Sequence, residues 1–359
     1  MSDGQTKLTV NFLAPFNGPG GFGRHARNFG AALAQHVRLV PVYFSRPVHP
    51  PGDDTALPPP RRWDDAAPGI CLAQLGGLCL PPGRPRIFYT VSETSRIPPV
   101  FLNVLASADQ VWVPSVWGRD VLARNGVNPE YLRVVPEGVD GARFRPPERD
   151  VRRDQFRFLC VGKWEERKGI PDLVRTFCRA FRPGDPVELV LHAHNPYLPG
   201  FDVRASLAKA LAGAESAPIR ISDPLPLDGL IRLMQASDAF VLPTRGEAWG
   251  LPILEAMACG LPCIVTRHSG HLTYANESNC FLIDVERMCP VDDPHMFGPG
   301  CDWGEWAQPD LDHLARLMRH VTEHPDHARA VGRAARRTAL RWSWDNAART
   351  ALGHLNCLP

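Results

Sequence analysis

Short apolar runs alternate along the chain with longer amphipathic stretches, and the alternation occurs in two series. Leu8, Val10, Phe12 and Leu13 give a buried-strand pattern over residues 7–14. Residues 24–35 have helical spacing, with Phe29, Ala32 and Leu33 on one face, and a strand is predicted over 37–44. Strand, turn, helix, strand is a βαβ unit and implies a parallel sheet. Strands follow over 86–91, 110–114 and 133–136, with 121–125 inside a helix between the last two. The second series opens with a strand over 156–161, then a helix over 171–181, a strand over 187–192 and a short strand and turn over 219–223. A helix over 227–237, a strand over 239–242, a helix that starts at Pro252 and stops at Gly260, and a strand over 262–266 continue it. Helices over 310–321, 327–341 and 343–355 end it. The Pro- and Asp-rich segment 47–68 reads as an exposed loop and 144–153 as a linker, so the domains expected are 1–150 and 151–342.

The candidate chemistry collects where apolar strands give way to Gly-containing loops. After Leu242 the chain reads PTRGEAWGLPILEAMACG; Gly246 and Gly250 allow close approach to the backbone, and the helix start behind them is an anion site. Glu247 lies in this loop, and Glu255 is expected in the first helical turn. After Val161 comes GKWEERKG, which holds Lys163 and Lys168, two of the four lysines in a chain that otherwise uses Arg. A compact ammonium suits a phosphate, and Arg167 is a further cation beside them. The polar cluster Ser92–Arg96 follows a strand at its carboxyl end, where ligands of open α/β sheets bind. Glu93 there is either a site carboxylate or a helix N-cap residue. His192 and His194 read as loop-end residues. Gly18, Gly20 and Gly23 match the dinucleotide pattern G-x-G-x-x-G, but the next strand ends without the ribose-binding acid, and the first acid is Asp53. A dehydrogenase is therefore disfavoured, and a tight turn without ligand stays open.

Glu247 and Glu255, seven residues apart within GEAWGLPILEAMACGLPCI, resemble the E-x7-E signature of retaining glycosyltransferases of family 4, which have the GT-B fold. The resemblance implies two Rossmann-like α/β/α domains facing each other across a cleft, with the C-terminal helix 343–359 crossing back to the first. It implies a donor side in which Lys163 and Lys168 neutralise the leaving diphosphate, Glu247 holds the donor sugar, and Glu255 holds the ribose. Backbone around Ala248, Trp249, Gly250 and Leu251 would help at the helix start, Gly20 and Gly21 would face the donor phosphates, and the turn at Ser222 would lie against the base. Glu93 stands where many members have His, and Lys163 where Arg is more usual; segment 285–309 resembles a hairpin insertion of some members. The implied reaction is transfer of a sugar from a nucleotide sugar (UDP or GDP) to a hydroxyl acceptor, with retention. No Asp-x-Asp metal site is evident, so metal-independent transfer without a cofactor is expected. A nucleotide-sugar epimerase and a non-catalytic binding protein on the same fold are the alternatives.

Composition narrows the picture further. A net charge of +2 over 359 residues argues against a general nucleic-acid binder. Ten Cys follow a start without an apolar leader pattern, so reduced thiols in a cytoplasmic protein are expected. Cys160, Cys178, Cys259 and Cys263 read as small core residues, and the loose spacing of Cys280, Cys289 and Cys301 with His295 leaves a zinc site only a weak alternative to reduced thiols. No apolar run reaches membrane-spanning length, so membrane contact is peripheral at most.

Overall fold

The computed structural model describes residues 7–18, 20–44, 62–81, 83–148, 154–298 and 300–357. The chain divides into two compact units, one of residues 1–92, 96–138 and 342–359, the other of 93–95 and 139–341.

The first unit is built on six parallel strands: β1 (Thr9–Ala14), β2 (Arg38–Tyr43), β3 (Gly69–Leu72), β4 (Arg86–Tyr89), β5 (Gln110–Val113) and β6 (Leu132–Val134). Helices α1 (Gly21–His36), α2 (Pro99–Leu105) and α3 (Val116–Arg124) connect them. The strand order is β2-β1-β3-β4-β5-β6. β3 and β5 are buried along their whole length, and β4 in all but its first residue, as parallel strands covered on both faces must be. β3 was not predicted. It has only four residues, GICL, too few to show a period, yet it joins β1 to β4 in the middle of the sheet. Most of the expected loop 47–68, with Asp53, lies outside the described residues.

α1 starts at Gly21, earlier than predicted, with Gly20 as its N-cap. A Cβ on Gly23 would come within 1.8 Å of the Gly18 carbonyl oxygen. The spacing of Gly18 and Gly23 thus reflects backbone packed on backbone at the turn.

The second unit repeats the plan with β7 (Phe156–Val161), β8 (Val187–His192), β9 (Ile219–Ile221), β10 (Ala239–Leu242), β11 (Cys263–Thr266) and β12 (Phe281–Ile283). They lie in the parallel order β12-β11-β10-β7-β8-β9. An antiparallel hairpin, β13 (Val285–Pro290) and β14 (Glu305–Pro309), follows β12. The helices are α4 (Ile170–Ala180), α5 (Val203–Leu211), α6 (Leu227–Gln235), α7 (Leu251–Ala258), α8 (Leu311–Glu323) and α9 (Pro325–Ala339). From β7 the chain runs outward to β8 and β9, then returns to place β10 on the other side of β7. The carboxyl ends of β7 and β10 therefore flank the switch point of the sheet, the place where open α/β sheets bind ligands.

The last helix, α10 (Trp344–Asn356), belongs to the first unit. Ser343 caps it by accepting from the Asn346 N–H at 3.1 Å, and Asp345 pairs with His36 of α1 at 2.7 Å. The Trp344 ring packs on His25, which also meets Tyr89 edge-on.

The units divide at Gly138/Val139, before the expected boundary at 150. Val139 and Phe144 are already buried, Arg143 pairs with Asp228 of α6 at 2.8 Å, and Gln235 donates to the Arg145 carbonyl at 3.0 Å. Packing thus takes up the first half of the expected linker; residues 149–153 lie outside the described residues. Residues 93–95 group with the second unit because Ser95 exchanges hydrogen bonds with Glu305 of β14, at 3.1 and 2.7 Å.

Candidate active site

Two loops at the carboxyl ends of β7 and β10 are pressed together. A single turn of 3-10 helix, Glu166–Lys168, ends at Gly169, whose φ of +65° is in the left-handed region. A Cβ there would also lie 2.2 Å from the Pro243 carbonyl oxygen, so the approach of the loops requires glycine. The Arg245 N–H donates to the Arg167 carbonyl at 2.7 Å, which closes the seam. A Cβ on Gly162 would come to 3.6 Å from the methylenes of Lys168, so the lysine stem runs beside this glycine.

The charges inside this seam form one network. Lys168 Nζ donates to Glu247 Oε1 at 2.6 Å, and Thr244 Oγ1 donates to the same oxygen at 2.9 Å. Arg167 Nη1 lies 3.4 Å from that oxygen, 3.1 Å from Glu93 Oε1, and donates to the Gly246 carbonyl at 2.7 Å. Arg167 Nη2 reaches Glu165 Oε2 at 3.1 Å, and Lys163 pairs with the other oxygen of Glu165. The Lys163 ammonium also sits over the Tyr197 ring, 4.8 Å from its centroid. Arg167, Lys168, Glu165 and Glu247 are each no more than 6% exposed. Burial on its own pushes the Glu247 carboxyl up, but Lys168 and Arg167 outweigh it and bring it down to about 2. Glu165 is lowered for the same reason: Arg167 and Lys163 overcome its burial. Glu93 goes the other way, since burial exceeds the pull of Arg167, although its side chain stays 24% exposed. Glu93 does not cap a helix, because α2 begins only at Pro99 with Pro98 as its N-cap.

The rest of the β10 loop is fixed from behind. Ser269 Oγ accepts from the Glu247 N–H at 2.8 Å, and the Gly270 N–H donates to the Glu247 carbonyl at 2.8 Å. The Tyr274 hydroxyl lies 2.7 Å from the Trp249 carbonyl oxygen and 2.9 Å from that of Gly250. Peptide planarity then turns the N–H groups of Gly250 and Leu251 away from Tyr274. Gly250, at φ +90°, lets the chain enter α7 at Leu251. Ala248 and Trp249 are buried under this turn. Glu255 is the fifth residue of α7 and so lies in its second turn, one turn deeper than expected, and is 2% exposed. It is too deep to act as a dipole-neutralising residue at the helix end. The hairpin props the same loop: Arg245 pairs with Asp172 at 2.7 Å, contacts Gln308 at 3.0 Å and lies over the Trp306 ring.

Ser222 stands at the end of β9. His194 donates to its carbonyl at 2.8 Å and His192 Nδ1 lies 2.7 Å from its hydroxyl, so the two histidines hold this turn. Gly20 and Gly21 open α1 in the first unit, and a Cβ on Gly21 would meet no atom within 4 Å. Lys163, Lys168, Glu247 and Glu93 thus meet in one network, whereas Ser222 and Glu255 occupy other elements of the second unit. Glu165 and Thr244 are the network members that sequence reasoning passed over, and Arg167 was read only as a further cation beside the lysines. The one signal for Glu165 was the density of opposite charges in Glu165–Lys168, which reads equally as a solvated loop; Thr244 carried none. Among the described residues no group of three or more His, Cys, Asp or Glu could hold a metal, and no helix is long and apolar enough to cross a membrane. Cysteines 71, 160, 259, 263 and 280 are buried free thiols.

Comparison with known proteins places this geometry. Residues 155–295 match the family described as "Glycosyl transferases group 1". A D-inositol 3-phosphate glycosyltransferase from Acidothermus cellulolyticus is 29% identical over 267 residues, 70% of this chain and 54% of the relative. An MMP alpha-(1->4)-mannosyltransferase from Mycolicibacterium hassiacum is 28% identical over 66% of this chain and 51% of the relative. The chain spans about half the length of these curated relatives. Among solved structures, sucrose-phosphate synthase from Thermosynechococcus elongatus superposes with a TM-score of 0.69 at 17% identity, covering 98% of each chain. HepE from Anabaena in complex with UDP-glucose gives 0.68 at 14% identity, over 98% of this chain and 100% of that one. The network described above lies almost wholly within the matched segment, and the likeness over the whole chain shows that the fold is GT-B.

Proposed function

We propose that the protein is a retaining glycosyltransferase that moves a sugar from a nucleoside-diphosphate sugar to a hydroxyl acceptor without a metal ion. The observation that carries this reading is the buried Lys168–Glu247 pair at the switch point, where the β7 and β10 loops meet. As the bond from the anomeric carbon to the phosphate breaks, charge builds on the diphosphate. Stabilising that charge is the main electrostatic demand of the reaction. Lys163 and Lys168 supply cations, and the N–H groups of Gly250 and Leu251 at the start of α7 supply dipoles. Glu247, held ionised by its neighbours, accepts from donor-sugar hydroxyls, and Glu255 accepts from the ribose. Glu93 serves beside the reacting sugar. The names of the curated relatives and the UDP-glucose bound by HepE support a nucleotide-sugar donor. The test is to incubate the protein with UDP- and GDP-sugars and simple glycoside or polyol acceptors in EDTA. Nucleoside diphosphate release and a product with the anomeric configuration of the donor are expected. An inverted product, or activity only after magnesium or manganese is restored, would overturn this reading.

A further inference from the structure

A lysine that neutralises a buried carboxylate is not at the same time available to a phosphate. Lys168 lies 2.6 Å from Glu247 Oε1, and both side chains are almost wholly buried. If Lys168 turned to a diphosphate, Glu247 would become a buried charge without a counter-ion, a strongly unfavourable state. Arg167 removes that obstacle. Its Nη1 is 3.4 Å from the same carboxylate oxygen, and its guanidinium is fixed by the Gly246 carbonyl at 2.7 Å, Glu165 at 3.1 Å and Glu93 at 3.1 Å. Thr244 Oγ1 adds a neutral hydrogen bond to that oxygen at 2.9 Å. The Arg167 side chain is 3% exposed and cannot swing away from its partners without stranding them.

We infer that Arg167 is a positioning residue: it is the standby counter-ion of Glu247, and its presence lets Lys168 pass from Glu247 to the diphosphate of the donor. Arg167 itself does not touch the nucleotide. The inference rests on the reading of Lys168 as a diphosphate ligand, and the two can fail separately.

The test is calorimetric titration with UDP and with GDP of the wild type, Arg167→Met, Glu247→Gln and the double variant Arg167→Met/Glu247→Gln. If the wild type binds neither nucleotide, the functional reading itself fails. If it binds one, Arg167→Met should weaken that binding by about tenfold or more, or 1.4 kcal/mol, because Lys168 stays on Glu247. Glu247→Gln frees Lys168, and should bind at least as tightly as the wild type. The double variant has lost one cation and one carboxylate, so it stays balanced in charge. It should match Glu247→Gln to within about threefold, because a neutral residue 247 needs no counter-ion. Arg167→Met at wild-type affinity would overturn the inference. So would Glu247→Gln weakened about tenfold, or a double variant about tenfold weaker than Glu247→Gln. The last two comparisons hold even if Arg167→Met alone does not fold. They also separate the inference from a merely structural role, under which the double variant is at least as impaired as Arg167→Met.

Discussion

Lys168→Met replaces the ammonium with an uncharged side chain of similar reach. The Lys168 side chain is 8% exposed and that of Glu247 4%, and Met keeps an unbranched stem of similar length, so the loss is chiefly of charge. Removing one partner of a buried pair costs about 3–5 kcal/mol. Arg167 and Thr244 remain on the Glu247 carboxylate, which sets the expectation at the lower end, roughly 3 kcal/mol. Lys168→Met/Glu247→Gln removes both charges and should be less destabilised than the single variant, with a coupling of roughly 2 kcal/mol. The pH dependence follows from the sign of the shift. Glu247 is lowered from 4.5 to about 2, so its contribution to stability is complete above about pH 4.5 and is lost as pH falls toward 2. Without Lys168 the carboxyl rises toward its unfolded value, so the loss still begins near pH 4.5 but should be smaller and finish at higher pH. Urea unfolding midpoints of the wild type, both single variants and the double variant, measured at pH 7 and again near pH 4, give the cycle and its pH dependence. Additive effects of the two substitutions, with no change in acid sensitivity, would refute the pairing.

Glu255→Ala should weaken binding of the bare nucleoside diphosphate by about 1.5–3 kcal/mol, the scale of a hydrogen bond to a charged group. Titration of UDP or GDP checks this, and unchanged affinity removes Glu255 from the nucleotide. Gly21→Ala should leave the melting temperature unchanged or slightly raised, since a Cβ there meets nothing within 4 Å and Ala is about 1 kcal/mol better than Gly within helices. If Gly21 faces the donor, the same variant should lose kcat/KM; full activity at full stability would leave the Gly20–Gly21 turn with a purely structural role.

The elements legible in the sequence were those with room to show a period or an end signal. β7 and β8 were read to the residue, and α7 was read from Pro252 at its start and Gly260 after its end. β3 was not legible, because four apolar residues after a Pro-rich stretch carry no period; their neighbours β1 and β4, distant in sequence, make them a strand. The loop carrying Glu247 was legible as a place where a ligand could approach, but the tertiary partners of its residues were not. Nothing in the local sequence says that Ser269, Gly270 and Tyr274 hold that loop from behind. The depth of Glu255 shifted for a local reason: Gly250 at positive φ lets the helix start directly at Leu251, so the carboxylate falls in the second turn.

The two lysines of the GKWEERKG loop make sense only beside the arginine that separates them from a purely electrostatic reading. A planar guanidinium satisfies several fixed partners at once, and Arg167 does so with Glu93, Glu165, Glu247 and the Gly246 carbonyl. Such a group is costly to move, because each displacement breaks several bonds together. Lys168 has one short carboxylate bond on a flexible stem, and Lys163 has one carboxylate and one aromatic face. Either ammonium can exchange its partner by breaking little. Three cations and three carboxylates (Lys163, Arg167, Lys168; Glu93, Glu165, Glu247) balance formally within the network, so the diphosphate of the proposed donor would be an excess of negative charge. It must be met by cations that can leave their partners while those partners stay compensated. On the proposed reading, Lys at 163 and 168 would provide the movable charges and Arg at 167 the fixed one.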